Sequence, residues 1–207
     1  EAPGVYVVED AEGDVAYVGK AQSLRRRVAT YFAAVVDERA LRVRDAAHGL
    51  SHERTGTELS ALLREQQLIR ELRPALNVQA SVHARGRAPS AGLASARVLA
   101  VVQPSAEGGA EVVLLDRGRG ASALDVIPDA DPAEVLRALR DALEELARRP
   151  AGGDEAPDVE VALTWLADRG AHASAVEVPD DVAAAAALLL RLARDPDLER
   201  GRIVPVT

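Results

Sequence analysis

The stretch that decides the fold runs from Gly4 to Phe32 and reads GVYVVEDAEGDVAYVGKAQSLRRRVATYF. Gly4-Val5-Tyr6-Val7-Val8 is rich in β-branched and aromatic residues and reads as a strand. Glu12-Gly13-Asp14 is a turn signal, and Val15-Ala16-Tyr17-Val18 reads as a second strand, so the two predict a β-hairpin. Ser23 stands where it can cap a helix whose apolar positions Leu24, Val28, Tyr31 and Phe32 recur at helical spacing.

Outward from this stretch, residues 37–47 predict an amphipathic helix, and residues 49–56 a break with room for a short strand. Thr57 can cap a further helix carrying Leu59, Leu62, Leu63, Gln66, Ile69 and Leu72. Pro74 ends it, and Ala75-Leu76-Asn77-Val78 reads as an extended tail. Residues 80–96 are rich in Ala, Ser, Gly, Arg and Pro without periodicity, as in a linker. A second unit then begins. Residues 97–103 and 111–115 read as paired strands, and Asp131-Pro132 opens a helix reaching about Arg149. Residues 159–167 read as helix, 175–178 as strand and 181–194 as an alanine-leucine helix. The expected class is α/β in the α+β sense. A small domain over 1–80, a short antiparallel sheet flanked by helices, precedes a linker over 81–96 and an acidic α+β unit over 97–207.

Composition narrows the partners. Residues 1–80 hold 11 Lys+Arg and 12 Asp+Glu, so nearly all of the net charge of -8 lies beyond residue 80. A local basic run, Arg25-Arg26-Arg27, can bind phosphate despite the negative total. The absence of cysteine excludes disulfides and thiolate metal sites. The longest strictly apolar run, residues 182–190, is too short to cross a bilayer, and no signal peptide is visible, so a soluble cytoplasmic protein is expected. A chain that opens on Glu1 and contains no methionine reads as a fragment of a longer protein or a trimmed piece. Rare residues concentrate in the first domain. Lys20 is the only lysine, Asn77 the only asparagine, and Tyr6, Tyr17 and Tyr31 are the only tyrosines.

The set Gly4-Val5-Tyr6, Tyr17-Val18-Gly19-Lys20-Ala21, Leu24-Arg25-Arg26-Arg27-Val28 and Tyr31-Phe32, followed by TELSALLREQQLIRELRPALN ending at Asn77, resembles the GIY-YIG nuclease family. It looks most like the N-terminal nuclease domain of UvrC-type excinucleases, and the related domain fused to polymerase III epsilon-like exonucleases. The resemblance runs from residue 3 to about residue 80. It implies that Tyr6, Tyr17, Lys20, Arg27, Tyr31, Glu65 and Asn77 occupy the family's functional positions, with Arg27 chosen because it lies ten residues after Tyr17. It further implies one divalent ion, Mg²⁺ or Mn²⁺, on Glu65, and single-strand nicking of DNA in nucleotide excision repair, near the nucleoid. Partners would be DNA, other repair proteins or an exonuclease domain of the same longer chain, and not a membrane.

The chemistry fits those residue types. Phosphodiester hydrolysis needs an activated water, stabilised charge on the phosphoryl group and a stabilised leaving alkoxide. A lone carboxylate can hold one hard divalent ion with waters completing its shell. Arginine forks onto phosphate oxygens. A tyrosine near a cation can give up its proton and accept one from water, so Tyr6 is the candidate base, with Lys20 and Tyr17 orienting the phenol or the water. Asn77 is expected to hold the Glu65 helix against the hairpin, and Arg25 and Arg26 to contact DNA.

Each residue also has an ordinary structural reading: a cross-strand aromatic pair for Tyr6 and Tyr17, a solvated helix face for the arginines, a surface pair with Arg64 or Arg70 for Glu65. The competing function is a binding module that keeps the fold and does not cut. His48, His52, His83 and His172 fit no ligand spacing, Gly118-Arg119-Gly120 reads as a turn, and Trp165 as core.

Overall fold

The computed structural model describes residues 2–33, 37–77, 97–127, 129–152, 156–169 and 174–195. The chain divides into two compact units, Glu1–His83 and Ala84–Thr207. The linker expected over 81–96, His83, His172 and Val78 lie outside the described residues.

In the first unit, β1 (Gly4–Glu9) and β2 (Val15–Ala21) form the expected antiparallel hairpin. Asp10 accepts the backbone N–H groups of Glu12 and Asp14 through Oδ1, and Gly13 takes the positive φ of 87° that the tight reversal needs. Ser23 caps α1 (Leu24–Thr30), and Asp37 caps α2 (Glu38–Ala46). The break at residues 49–56 holds β3 (Gly49–Arg54), which pairs antiparallel with β1 along its whole length, giving the order β2-β1-β3. Thr57 caps α3 (Glu58–Leu72).

Strand alternation divides the residues of the sheet. Tyr6, Val8, Tyr17 and Ala21 share one face, and Leu24, Tyr31 and Val43 of the α1 and α2 region close over them. Val5 and Val18 point the other way and are buried, as are Leu59 and Ala61 of α3, which packs on β1 and β2.

The outer edge of β2 is covered without another strand. Leu76 N–H donates to Ala16 C=O at 3.0 Å. The Asn77 side chain accepts Val18 N–H and donates to Val18 C=O, both at 2.8 Å. Residues 75–77 therefore do not run on as the expected extended tail. They turn, with Asn77 N–H donating to Pro74 C=O, because that turn brings the amide side chain level with Val18.

In the second unit β4 (Val98–Pro104), β5 (Ala110–Asp116), β6 (Gly120–Val126) and β7 (Ser174–Glu177) form an antiparallel sheet in the order β6-β5-β4-β7. Asp131 caps α4 (Pro132–Arg148), with Pro132 at its start, and Asp181 caps α6 (Val182–Ala193). These two helices cover the face carrying Ala100, Val102, Val112, Leu114 and Val126. α5 (Pro157–Arg169) packs on β5 and β6 and buries Trp165. Strand β6 goes beyond the elements expected from sequence. Its sequence GASALDV is small and weakly alternating, and neighbouring β5 supplies the pairing that makes it a strand. Gly118-Arg119-Gly120 is the turn before it, with Gly120 at φ 102°.

Asn77→Ala is expected to unmake both bonds to Val18 and leave a buried donor and acceptor on β2. Each such group costs about 1–3 kcal/mol, so the urea midpoint of the first unit should fall clearly. A wild-type midpoint would show that the clamp contributes nothing to the fold.

Candidate active site

Three of the predicted residues meet at one oxygen. The Tyr6 ring is fully buried at the centre of the sheet, and its hydroxyl lies 2.6 Å from that of Tyr31. Arg27 Nε–H donates to the same hydroxyl at 3.2 Å. α1 makes this possible. Leu24 anchors its buried side, and Arg27 lies in its last turn, one turn below Tyr31 at the C-cap. The Arg27 guanidinium also stands 5.6 Å from the centre of the Tyr31 ring. Its two terminal nitrogens have no hydrogen-bond partner among the described residues, leaving a fork for phosphate oxygens. Arg25, Arg26 and Arg27 are all exposed on this short helix.

Tyr17 joins the cluster through its ring. Its centre is 5.9 Å from that of Tyr6, and Tyr31 is 6.1 Å from Tyr6 on an edge-to-face approach. The pairing of Tyr6 with Gly19 explains the glycine. A Cβ there would sit 2.5 Å from the Tyr6 ring and hydroxyl and 2.8 Å from Tyr17. The residue opposite Tyr6 must be glycine for the two rings to share this face.

Burial is the leading electrostatic influence. It raises Tyr6 well above the ordinary phenol range, and the Tyr31 hydrogen bond adds to this while that of Arg27 opposes it. Burial likewise pushes Tyr17 up to about 12 and raises Tyr31. For Arg27 burial pulls downward, but the Tyr6 bond and the surrounding phenols more than reverse it, so the guanidinium stays charged. A Tyr6 phenolate therefore needs positive charge beyond Arg27 before it can form.

Glu65 projects from the middle of α3, half-buried, and Oε1 accepts the backbone N–H of Lys20 at 2.9 Å. It does not form the surface pair with Arg64, which bonds Glu53 at 3.0 Å. Burial raises the Glu65 carboxyl, against the Lys20 N–H and the charges of Lys20, Arg39 and Arg27. Among the described residues no group of three or more His, Asp or Glu side chains could hold a metal ion. The donor set is thus one carboxylate within the field of Arg27 and Arg39. That suits a hard cation such as Mg²⁺, which keeps several waters and takes one or two carboxylates plus substrate phosphates. The residue that would hold it is Glu65.

Lys20 is expected from the sequence to orient the Tyr6 phenol or the water; its ammonium pairs with Glu58 of α3 at 3.3 Å and not with the phenol. Lys20 lies opposite Val5 in the hairpin, so alternation sends its side chain to the face away from Tyr6 and Tyr17. Gln22 donates to the other Glu58 oxygen. Glu58 and Arg39 are two residues near the site that the sequence pattern does not single out. Arg39, in the first turn of α2, holds its guanidinium 5.4 Å from the centre of the Tyr17 ring. Asn77, by its bonds to Val18, positions the end of α3 and touches none of the tyrosines through a hydrogen bond.

Residues 2–78 match the family described as the UvrC-like GIY-YIG domain. The UvrABC system protein C of Chromohalobacter salexigens is 44% identical over 78 residues, covering 38% of this chain and 13% of that protein. That of Alcanivorax borkumensis is 49% identical over 81 residues, covering 37% and 13%. That of Saccharopolyspora erythraea is 44% identical over 81 residues, covering 38% and 11%. The match thus spans only about an eighth of the length of these relatives. Among solved structures, the GIY-YIG N-terminal endonuclease domain of UvrC from Thermotoga maritima, bound to its catalytic divalent cation magnesium, aligns at 32% identity. That alignment covers 37% of this chain and 84% of that one, with a TM-score of 0.35. The rare residues, the hairpin and the matched span coincide, and residues 2–78 of this chain are a UvrC-like GIY-YIG domain.

Proposed function

We propose that this chain is a metal-dependent DNA endonuclease of nucleotide excision repair that nicks one strand by phosphodiester hydrolysis, with residues 1–80 as its catalytic domain. One observation carries the reading. Tyr6, Arg27 and Tyr31 converge on a single buried oxygen in a domain whose sequence relatives are UvrABC system proteins C, with Glu65 held at the neighbouring strand. A structural aromatic cluster has no need of an exposed guanidinium that bonds its buried hydroxyl through Nε and leaves its fork uncommitted.

The residues divide the work. Arg27 turns its terminal nitrogens to the scissile phosphate and lowers the Tyr6 pKa against burial. Tyr6 acts as the phenolate, its own proton released to solvent under the combined charge of Arg27 and the cation that Glu65 would hold. It then accepts the proton of the attacking water, and its short bond to Tyr31 offers a second oxygen to share that proton. The water oxygen bonds to phosphorus, the bond to the leaving alkoxide breaks, and the alkoxide is protonated from solvent. Tyr17 keeps the Tyr6 ring in place. Lys20 acts indirectly, tying Glu58 and presenting its backbone N–H to Glu65. Glu65 would hold one Mg²⁺ or Mn²⁺, whose chemistry is to neutralise phosphate charge and stabilise the leaving oxygen. Arg25 and Arg26 add phosphate affinity along the duplex.

The test is single-turnover nicking of a labelled duplex and relaxation of supercoiled plasmid with Mg²⁺ or Mn²⁺. Binding without any cutting under these conditions would favour the non-catalytic module instead. Glu65→Gln is expected to lose cutting by on the order of a thousand-fold or more. The same variant should keep its fold. The Glu65 carboxyl is raised from 4.5, so its contribution to stability is full below 4.5 and is lost as pH rises through the folded value. At neutral pH the buried charge is a cost that glutamine lacks, while glutamine still accepts the Lys20 N–H. A melting temperature at or above wild type near pH 7, converging toward acid, is the expected result, and a sharp drop at pH 7 would contradict this account of Glu65.

Tyr6→Phe preserves the ring and removes only the shared oxygen. Its nicking rate is expected to fall by about 10²–10⁴-fold, the usual worth of a general base. Rates equal to wild type would leave Tyr6 as packing. Arg27→Ala should reduce turnover far more than Arg25→Ala or Arg26→Ala, which point to other sides of α1 and should act on binding at moderate salt. Equal losses of turnover from all three would remove Arg27 from its assigned role.

A further inference from the structure

The tyrosine cluster is flanked by two guanidinium groups, and the proposed chemistry uses only one. Arg27 stands over Tyr31, and Arg39 stands over Tyr17, with Tyr6 in ring contact with both tyrosines. Arg39 has no hydrogen bond or ion pair among the described residues. The acids beside it in sequence are engaged elsewhere: Glu38 pairs with Arg42 at 3.2 Å, Asp45 pairs with Arg44 at 3.1 Å, and Asp37 caps Ala40 N–H at 2.7 Å. Its side chain is exposed, so its N–H donors face solvent.

This state differs from that of Arg42, Arg44, Arg64, Arg119 and Arg149, each of which pairs with a carboxylate. Stacking on the Tyr17 ring restrains the guanidinium while leaving the donor fork open, which lowers the entropy lost when a ligand is bound. The field of Arg39 also reaches the tyrosine cluster: it acts to lower the pKa of Tyr17 and Tyr31. A ligand matching this arrangement is an anion with pairs of oxygens repeating along a chain, and a DNA backbone supplies one at every nucleotide.

We propose that Arg39 binds a backbone phosphate of the DNA strand being cut, as a second phosphate-binding arginine across the tyrosine cluster from Arg27. This assignment rests on the endonuclease reading above, and its test separates binding from cutting.

Affinity for a labelled duplex is measured with the full chain in a Glu65→Gln background over a series of salt concentrations. Arg39→Ala is expected to weaken binding and to reduce the slope of log affinity against log salt by about 1, the signature of one lost phosphate contact. Arg39→Lys keeps the charge and should keep the slope. In the cutting-competent chain, Arg39→Ala should raise KM more than it lowers kcat. A slope unchanged in Arg39→Ala overturns the proposal, as does a loss of affinity accompanied by a lowered urea midpoint and an altered tyrosine near-ultraviolet signal, since those mark a structural stack. If Arg39→Ala unfolds, Arg39→Gln, which can still lie on the Tyr17 ring, carries the same comparison with the same expected drop in slope. A wild-type chain that binds with the Arg39-dependent slope but never cuts removes the endonuclease reading and leaves Arg39 as a DNA-binding residue. A wild-type chain with no affinity for DNA removes both.

Discussion

An edge strand must satisfy backbone groups that no neighbouring strand will meet, and in the first unit the edge at β2 does so with side chains and a turn. Ala16 C=O, Val18 N–H, Val18 C=O and Lys20 N–H are met in turn by Leu76, twice by the Asn77 amide, and by the Glu65 carboxylate. Alternate residues of an antiparallel strand turn their backbone groups to the same side, so these partners from α3 and its following turn line up along one edge. The edge is closed against pairing with other chains, and α3 is registered on the sheet by the same bonds. Glu65 is thereby kept beside Lys20, next to the residue that pairs with Tyr6, although it stands far from both in sequence. Covering the edge and holding the carboxylate in place are one structural act.

Within that frame the site is an argument between burial and charge. Burial raises the pKa of all three tyrosines and of Glu65, so the cluster alone favours protonated, uncharged groups. Arg27 and Arg39 act in the other direction on Tyr31 and Glu65, and Arg27 on Tyr6. Burial and the two guanidinium groups thus pull these acids in opposite directions, and further positive charge would favour their ionised forms. The tight packing opposite Tyr6, enforced by Gly19, keeps the hydroxyls of Tyr6 and Tyr31 within one hydrogen bond of each other.

The second unit is built on different terms. Its four-stranded sheet is covered on one face by α4 and α6, whose buried Leu139, Leu146, Leu189 and Leu190 give an apolar core with no tyrosine. Asp125 is its one carboxyl with a raised pKa among the described residues, through burial and the nearby Glu107. No cluster of metal-ligating side chains occurs among its described residues. The net negative charge carried beyond residue 80 sets this unit apart from the first and opposes binding of nucleic acid by its surface.

Local chemistry was legible without coordinates. The hairpin and the helix caps at Ser23 and Thr57 depend on neighbours within a few positions, so the sequence by itself determined them. The identity of the domain followed from the same short patterns. What only the tertiary structure decided were relations between distant segments. Strand β6 exists because β5 pairs with it, and its own small residues carry little periodicity. The turn at 75–77 replaces an extended tail because Asn77 must reach Val18. Lys20 turns from the tyrosines to Glu58 because its place in the hairpin fixes its face, and Arg39 reaches Tyr17 because α2 closes over the same sheet. A spacing in sequence cannot convey these, since each is set by which surfaces are brought together and which backbone groups they leave to be satisfied.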